Sequence, residues 1–174
     1  MIVKIIFLDV DGVLNCQSTE DHIGRYVGVD EDKVALLKKI IDATGAKIVL
    51  SSTWRLGYNH WGENLSGFRE RLDEALGKYG FEVYDKTEDL GRHGTCRGQE
   101  INKWLEQHPD VEEWVVLDDE YFFDFGYYGI TPHHVHTWFY GDGGLHEEDV
   151  ERAIQVLNGH LIEVKKEEVW DDSE

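Results

Sequence analysis

The sequence predicts an α/β fold, a three-layer α/β/α sandwich around a mostly parallel central sheet of about five strands. Short apolar runs rich in β-branched residues alternate with stretches whose apolar residues recur at helical spacing, as in Ile2–Leu8 followed by Val34, Leu37, Ile40 and Ile41. Runs that are apolar throughout suit strands buried on both faces, the state imposed when helices cross over a parallel sheet. Acidic or hydroxyl residues follow several of these runs directly, and ligands in open parallel sheets bind beyond the carboxyl ends of the strands.

The elements follow in order. Ile2–Leu8 reads as the first strand, and a polar, Gly-containing stretch runs from Asn15 to Asp30. The first helix carries Val34, Leu37, Ile40 and Ile41, and Gly45 punctuates its end. Lys47–Leu50 is the second strand and ends at Ser51-Ser52. Phe68, Leu72, Ala75, Leu76 and Tyr79 mark a second helical face closed by Gly80, with a third strand expected at Phe81–Tyr84. Ile101, Trp104 and Leu105 define a short helix, Trp114–Leu117 the fourth strand and His134–Phe139 the fifth. Val150, Ala153, Ile154 and Leu157 give the last helix, which stops at Asn158-Gly159. The overall pattern is Rossmann-like.

A chain of 174 residues suits one domain, expected over 1–162, with the acidic stretch 163–174 fraying as a tail. With 36 acidic against 17 basic residues the formal net charge is −19. Such a field repels polyanions, so strong non-specific nucleic-acid binding and attachment to anionic membranes are not expected. Cys16 and Cys96 make no disulfide framework. The apolar N-terminal run is too short to span a bilayer and lacks the basic start of a signal peptide, so the expected location is cytoplasmic, with reduced thiols.

The chemistry starts with Asp9 and Asp11, two positions apart where a buried strand gives way to Gly12. Extended backbone would point both to one side, and Gly12 permits a sharp turn beyond them. Asp118 and Asp119 follow the strand WVVL and reach the same rim. Four carboxylates gathered there repel one another unless a hard cation sits among them, and magnesium suits carboxylates combined with water and phosphate oxygens. The competing reading is that these aspartates only cap helices and turns.

The segment FLDVDGVLN resembles the first motif of the haloacid dehalogenase (HAD) superfamily, an apolar strand followed by Asp-x-Asp-Gly. VLSS resembles the second motif, Arg97 before GQEINKWL matches the basic third, and VVLDDE resembles the acidic fourth. All four occur in the family's order, over about residues 2–119. More narrowly, FLDVDGVLN, VLSSTWR, RGQEINKWL, WVVLDD and GLHEEDVERAIQVL are similar to the HAD phosphatase modules of Swiss-army-knife RNA repair proteins.

The resemblance implies a magnesium-dependent phosphomonoesterase. Asp9 would attack phosphorus to form an aspartyl-phosphate, and Asp11 would protonate the leaving oxygen and then activate water. Ser51 would hydrogen-bond a phosphoryl oxygen and Arg97 would offset its charge. Gly12, Ser52 and Arg55 would line the substrate. Magnesium would be held by Asp9, the Asp11 carbonyl and Asp118, with Asp119 behind or joined through water. Ser52 remains a rival to Ser51 for the second motif, and Lys86 and Arg92 remain rivals to Arg97 for the third.

The short interval after the first motif leaves space only for a flap, so little or no cap domain is expected. An open site of this kind admits bulky phosphoesters or borrows a lid from a second copy, which makes a homodimer one expected assembly. Aromatics at Tyr121–Tyr128 and at Trp54, Tyr58 and Trp61 could stack on bases or simply pack. Arg55, Arg92, His93 and Arg97 could form a positive mouth, and His133, His134 and His136 admit a zinc reading, without the ligand spacing to support it. The expected substrate is a nucleotide or a nucleic-acid terminal phosphate. The rivals are a general small-molecule phosphatase and a catalytically silent binding module.

Overall fold

The computed structural model describes residues 2–58, 66–91 and 96–165. Its centre is a five-stranded, fully parallel sheet in the order β5-β4-β1-β6-β7. These strands are β1 (Val3–Leu8), β4 (Lys47–Leu50), β5 (Val83–Lys86), β6 (Val111–Asp118) and β7 (His134–His136). A two-stranded antiparallel hairpin, β2 (His22–Ile23) with β3 (Tyr26–Val27), occupies the stretch expected to form a flap.

Four helices complete the sandwich: α1 (Glu31–Thr44), α2 (Ser66–Gly77), α3 (Arg97–Glu106) and α4 (Glu147–Leu157). Each strand alternates sides, and the two faces feed two cores. Ile6, Leu8, Ile48, Leu50, Val115 and Leu117 pack against α1, α2 and α4. Ile5, Phe7, Val49 and Val116 pack against Ile101 and Trp104 of α3 and against Phe125 and Ile130.

Local signals set the helix ends. The Asp30 carboxylate accepts from the Asp32 amide at 2.9 Å to start α1, and Gly45 at φ 69° closes it with its amide on the Ile41 carbonyl. At α3 the N-cap position is Cys96, which supplies no side-chain cap. The cap comes from far downstream, where Asp124 accepts from the amides of Gly98 at 3.1 Å and Gln99 at 3.0 Å.

Three expected strands moved at an end by two residues or more. The third strand begins at Val83 rather than Phe81, because the Phe81 amide still bonds the Leu76 carbonyl and closes α2. The fourth is longer than Trp114–Leu117, starting at Val111 and ending at Asp118. The fifth stops at His136 instead of Phe139, since the Phe139 carbonyl leaves the sheet to accept from the Gln17 amide. Of the expected tail, 166–174 lies outside the described residues. Among the described residues no helix is long and apolar enough to cross a membrane.

Candidate active site

Strand register builds the site. Leu8 of β1 lies level with Leu50 of β4 on one side and with Leu117 of β6 on the other. The next residue of each strand is therefore Asp9, Ser51 and Asp118, side by side at the carboxyl edge. The ladder carries one step past the strands, with the Asp9 amide on the Leu117 carbonyl at 2.9 Å and the Ser51 amide on the Leu8 carbonyl at 3.0 Å. β1 is where the chain order reverses across the sheet, the place at which parallel sheets open a crevice.

Asp9, Asp118 and Asp119 each present an oxygen within 4.8 Å of the others. Burial pushes the Asp119 carboxyl up to about 7, with the charge of Asp9 adding to the effect. Asp118 is pushed well up too, first by burial and then by Asp9, and Arg97 only partly offsets this. The group holds more negative charge than its surroundings neutralise, and its donors are all hard oxygens, so it fits a divalent cation such as magnesium.

Gly12 makes the crowding possible. Its φ is +76°, and a Cβ there would stand 2.4 Å from the Asp119 carboxylate carbon. Any side chain would displace that carboxylate. Beneath the same loop, His134 and His136 donate through Nε2 to the Asp118 and Asp119 carbonyls at 3.0 and 2.9 Å. His133 instead bonds the Trp114 carbonyl and stacks on that ring. All three histidines hold backbone carbonyls through one ring nitrogen, and none belongs to the metal-capable cluster found among the described residues.

Asp11 stands apart from the acid cluster. Its carboxylate accepts from Asn15 Nδ2 at 2.9 Å and from the Trp54 indole Nε1 at 3.1 Å. Burial pushes its carboxyl up, and Asp9 pushes the same way against those two hydrogen bonds. Asn15 is fully buried and also binds the Gly12 amide and the Gly28 carbonyl, tying the turn after β1 to the end of the hairpin.

The two serines differ. Ser51 Oγ is buried with no hydrogen-bond partner, whereas Ser52 Oγ accepts from the Trp54 amide at 3.1 Å and starts the 3-10 turn Thr53–Tyr58. An unpaired buried hydroxyl is costly, and a group aimed at a ligand oxygen is one way to rationalise it. Arg97, at the first position of α3, puts Nη1 2.8 Å from Asp118 and 3.9 Å from Asp9, with its guanidinium 4.9 Å from the Phe122 ring centre. Lys86 lies in β5 and faces a different hollow, with Asp85 and Glu88. Arg92 and His93 lie outside the described residues.

Arg55 does not form a mouth. It is buried, and its guanidinium bonds the Ser51 and Ser52 carbonyls at 3.0 Å each and both oxygens of Glu100 at 3.0 Å. Gly12 likewise has its amide committed to Asn15. Neither residue, both expected to line the substrate, is among those lining the cleft.

Asp9, Asp11, Arg97, Asp118 and Asp119 open into one cleft of about 990 Å3. Its walls are aromatic, but mostly not where the sequence suggested. Of Tyr121–Tyr128 only Phe122 lines the cleft; Phe125 is core, and Phe123 and Tyr127 stand exposed. Trp54 lines it as expected, while Trp61 lies outside the described residues. Further wall comes from Arg25 and Tyr26 of the hairpin, from Leu56 and Phe68, and from Trp138–Tyr140 beyond β7. Sequence reading missed these, although the spacing of Trp138 and Tyr140 two positions apart was visible.

A family model described as the HAD domain in Swiss Army Knife RNA repair proteins matches residues 5–150. That match spans most of the chain, which therefore belongs to this family, and the fold and family together imply a phosphatase-type hydrolase acting on a phosphorylated substrate. No curated protein and no solved structure matches the chain.

Proposed function

We propose that this HAD-family chain is a magnesium-dependent phosphomonoesterase that works through an aspartyl-phosphate on Asp9, acting on a nucleotide or a nucleic-acid terminal phosphate. The observation that carries the reading is the placement, by strand register, of Asp9, Ser51 and Asp118 side by side with the Arg97 guanidinium. The family description supports the nucleic-acid side of the substrate.

In this reading Asp9 Oδ attacks phosphorus while the leaving oxygen takes a proton from Asp11. The raised affinity of Asp11 for its proton supports that role, and Trp54 and Asn15 hold its carboxyl in place. Asp11 then takes a proton from the water that hydrolyses the aspartyl-phosphate. The unpartnered Ser51 hydroxyl donates to a phosphoryl oxygen, and Arg97 donates to another as charge builds on them. Asp9, Asp118 and Asp119 would hold magnesium, together with the Asp11 carbonyl that the family resemblance implies. The ion would neutralise the nucleophile's surroundings and the phosphoryl group at once.

A panel of 5′- and 3′-nucleotides, end-phosphorylated oligonucleotides and sugar phosphates tests the reading. Magnesium-dependent phosphate release from the nucleotides or oligonucleotides, abolished in Asp9→Asn, is expected. Turnover confined to sugar phosphates would replace the substrate class, and full activity in Asp9→Asn would end the covalent mechanism.

A further inference from the structure

Two ladders of aromatic rings run from the cleft's rim to its acids. On one wall Tyr26 meets Phe68 at 5.7 Å, Phe68 meets Trp54 at 4.9 Å, and the Trp54 indole donates to Asp11. On the other, Tyr140 meets Trp138 at 5.5 Å, Trp138 meets His136 at 6.3 Å, and His136 bonds the Asp119 carbonyl. The inner rings are packed, and the outer ones are not. Trp138 is 57% exposed, Tyr140 62% and Tyr26 52%, all lining the same cleft as Asp9. Large rings left open at the mouth of a charged site are unfilled contact surface.

Building on the phosphomonoesterase reading, we infer that Trp138, Tyr140 and Tyr26 form a nucleobase subsite, which holds the base of the nucleotide whose phosphate lies at Asp9. Three features choose this occupant. The ladders end on Asp11 and Asp119, so a ligand stacked on the outer rings is continuous with one phosphorylated at the floor. The apolar part of the lining is Val27, Leu56, Phe68, Phe122 and Phe139, with Thr53 and Glu120 beside it. Such a surface suits the flat face of a base. Cations in the lining are few: Arg97 at the floor and Arg25, fully exposed, beside the Tyr26 ring. With a chain charge of −19, the subsite fits one terminal nucleotide with little backbone beyond it, rather than a tracked polyanion.

The test compares KM for adenosine monophosphate with KM for glycerol 2-phosphate, which has no ring to stack. Loss of one stacking ring is worth roughly tenfold in affinity. Trp138→Ala is therefore expected to raise KM for the nucleotide about tenfold more than for glycerol 2-phosphate, with kcat little changed. Trp138→Phe should restore most of the selectivity. Phe123→Ser, an exposed ring outside the cleft, serves as the control and should leave it intact. Equal effects on both substrates, or none, would overturn the subsite. The same loss with glucose 6-phosphate would reassign it to sugars.

Calorimetric binding of adenosine monophosphate to the Asp9→Asn protein and to its Trp138→Ala derivative separates the two claims, because it needs no turnover. Weaker binding in the double variant supports the subsite even if the catalytic reading fails. Unchanged binding alongside intact catalysis by the unaltered protein removes the subsite alone.

Discussion

Two buried charge clusters share the carboxyl edge of the sheet, and they are built on opposite terms. Around Glu100 the charges are matched. Both of its oxygens take Arg55 at 3.0 Å, one also takes the Leu90 amide at 3.1 Å, and Arg97 Nε stands 3.8 Å away. Around Asp9 they are not. Asp118 and Asp119 crowd Asp9, Arg97 is the one cation paired with them among the described residues, and burial and Asp9 push the carboxyls of Asp118 and Asp119 up. Breaking a paired buried cluster strands a charge, while removing a charge from an unbalanced one relieves repulsion. Arg97 touches both, so the rigid cluster aims the reactive one.

The sharpest way to separate them is to remove one charge from each. In the proposed mechanism Asp9→Asn removes the nucleophile and should cut phosphate release at least about a thousandfold. The same change relieves repulsion, so the magnesium-free variant should melt at or above the temperature of the unaltered protein. Lower melting there would contradict the view of this cluster as strained. Glu100→Ala should do the reverse and cost about 3–5 kcal/mol in urea unfolding, because it strands the buried Arg55 guanidinium. A loss under about 1 kcal/mol would show that the pair is replaceable by water.

Ser51→Ala should reduce kcat/KM by about 10–100-fold, the worth of a hydrogen bond to a charged group. It should barely alter stability, since the hydroxyl has no partner in the free protein. Ser52→Ala should show the opposite balance through loss of the turn at Trp54.

The remaining expected effect is a pH slope. Asp119 has an ordinary value of 3.8 and is pushed up to about 7 in the folded protein. Between those values the folded state holds a proton that the unfolded state has released, so protonation favours folding. The stabilisation is fully present at the acid end of the window and is lost as pH rises through about 7. Urea titrations in chelator at several pH values, run beside Asp119→Asn, isolate it. The variant should lose the excess decline in stability between pH 5.5 and 8, and parallel slopes would refute the assignment.

The sheet and the acids were legible in the sequence because both follow from short-range pattern. Apolar runs such as KIVL can only be buried strands between helices, and once they pair in register their next residues must meet. What stayed hidden depends on distant partners. Nothing local marks Asp124 as the cap of α3, Glu100 as the mate of Arg55, or Trp54 as a donor to Asp11. Arg55 looked like a substrate residue because charge near a motif is visible while burial is not. The aromatic segment Tyr121–Tyr128 drew attention for its density, yet most of the open wall came from Trp138 and Tyr140, where the chain leaves β7 early.

The covalent role proposed for Asp9 can be tested directly. The Asp11→Asn protein, mixed with magnesium and an aryl phosphate whose leaving group needs no proton, should form the aspartyl-phosphate and hydrolyse it slowly. After acid quench, intact mass should rise by one phosphoryl group, and mapping should place it on Asp9. An unmodified Asp9 under these conditions, while the unaltered protein turns over the same substrate, would contradict the mechanism.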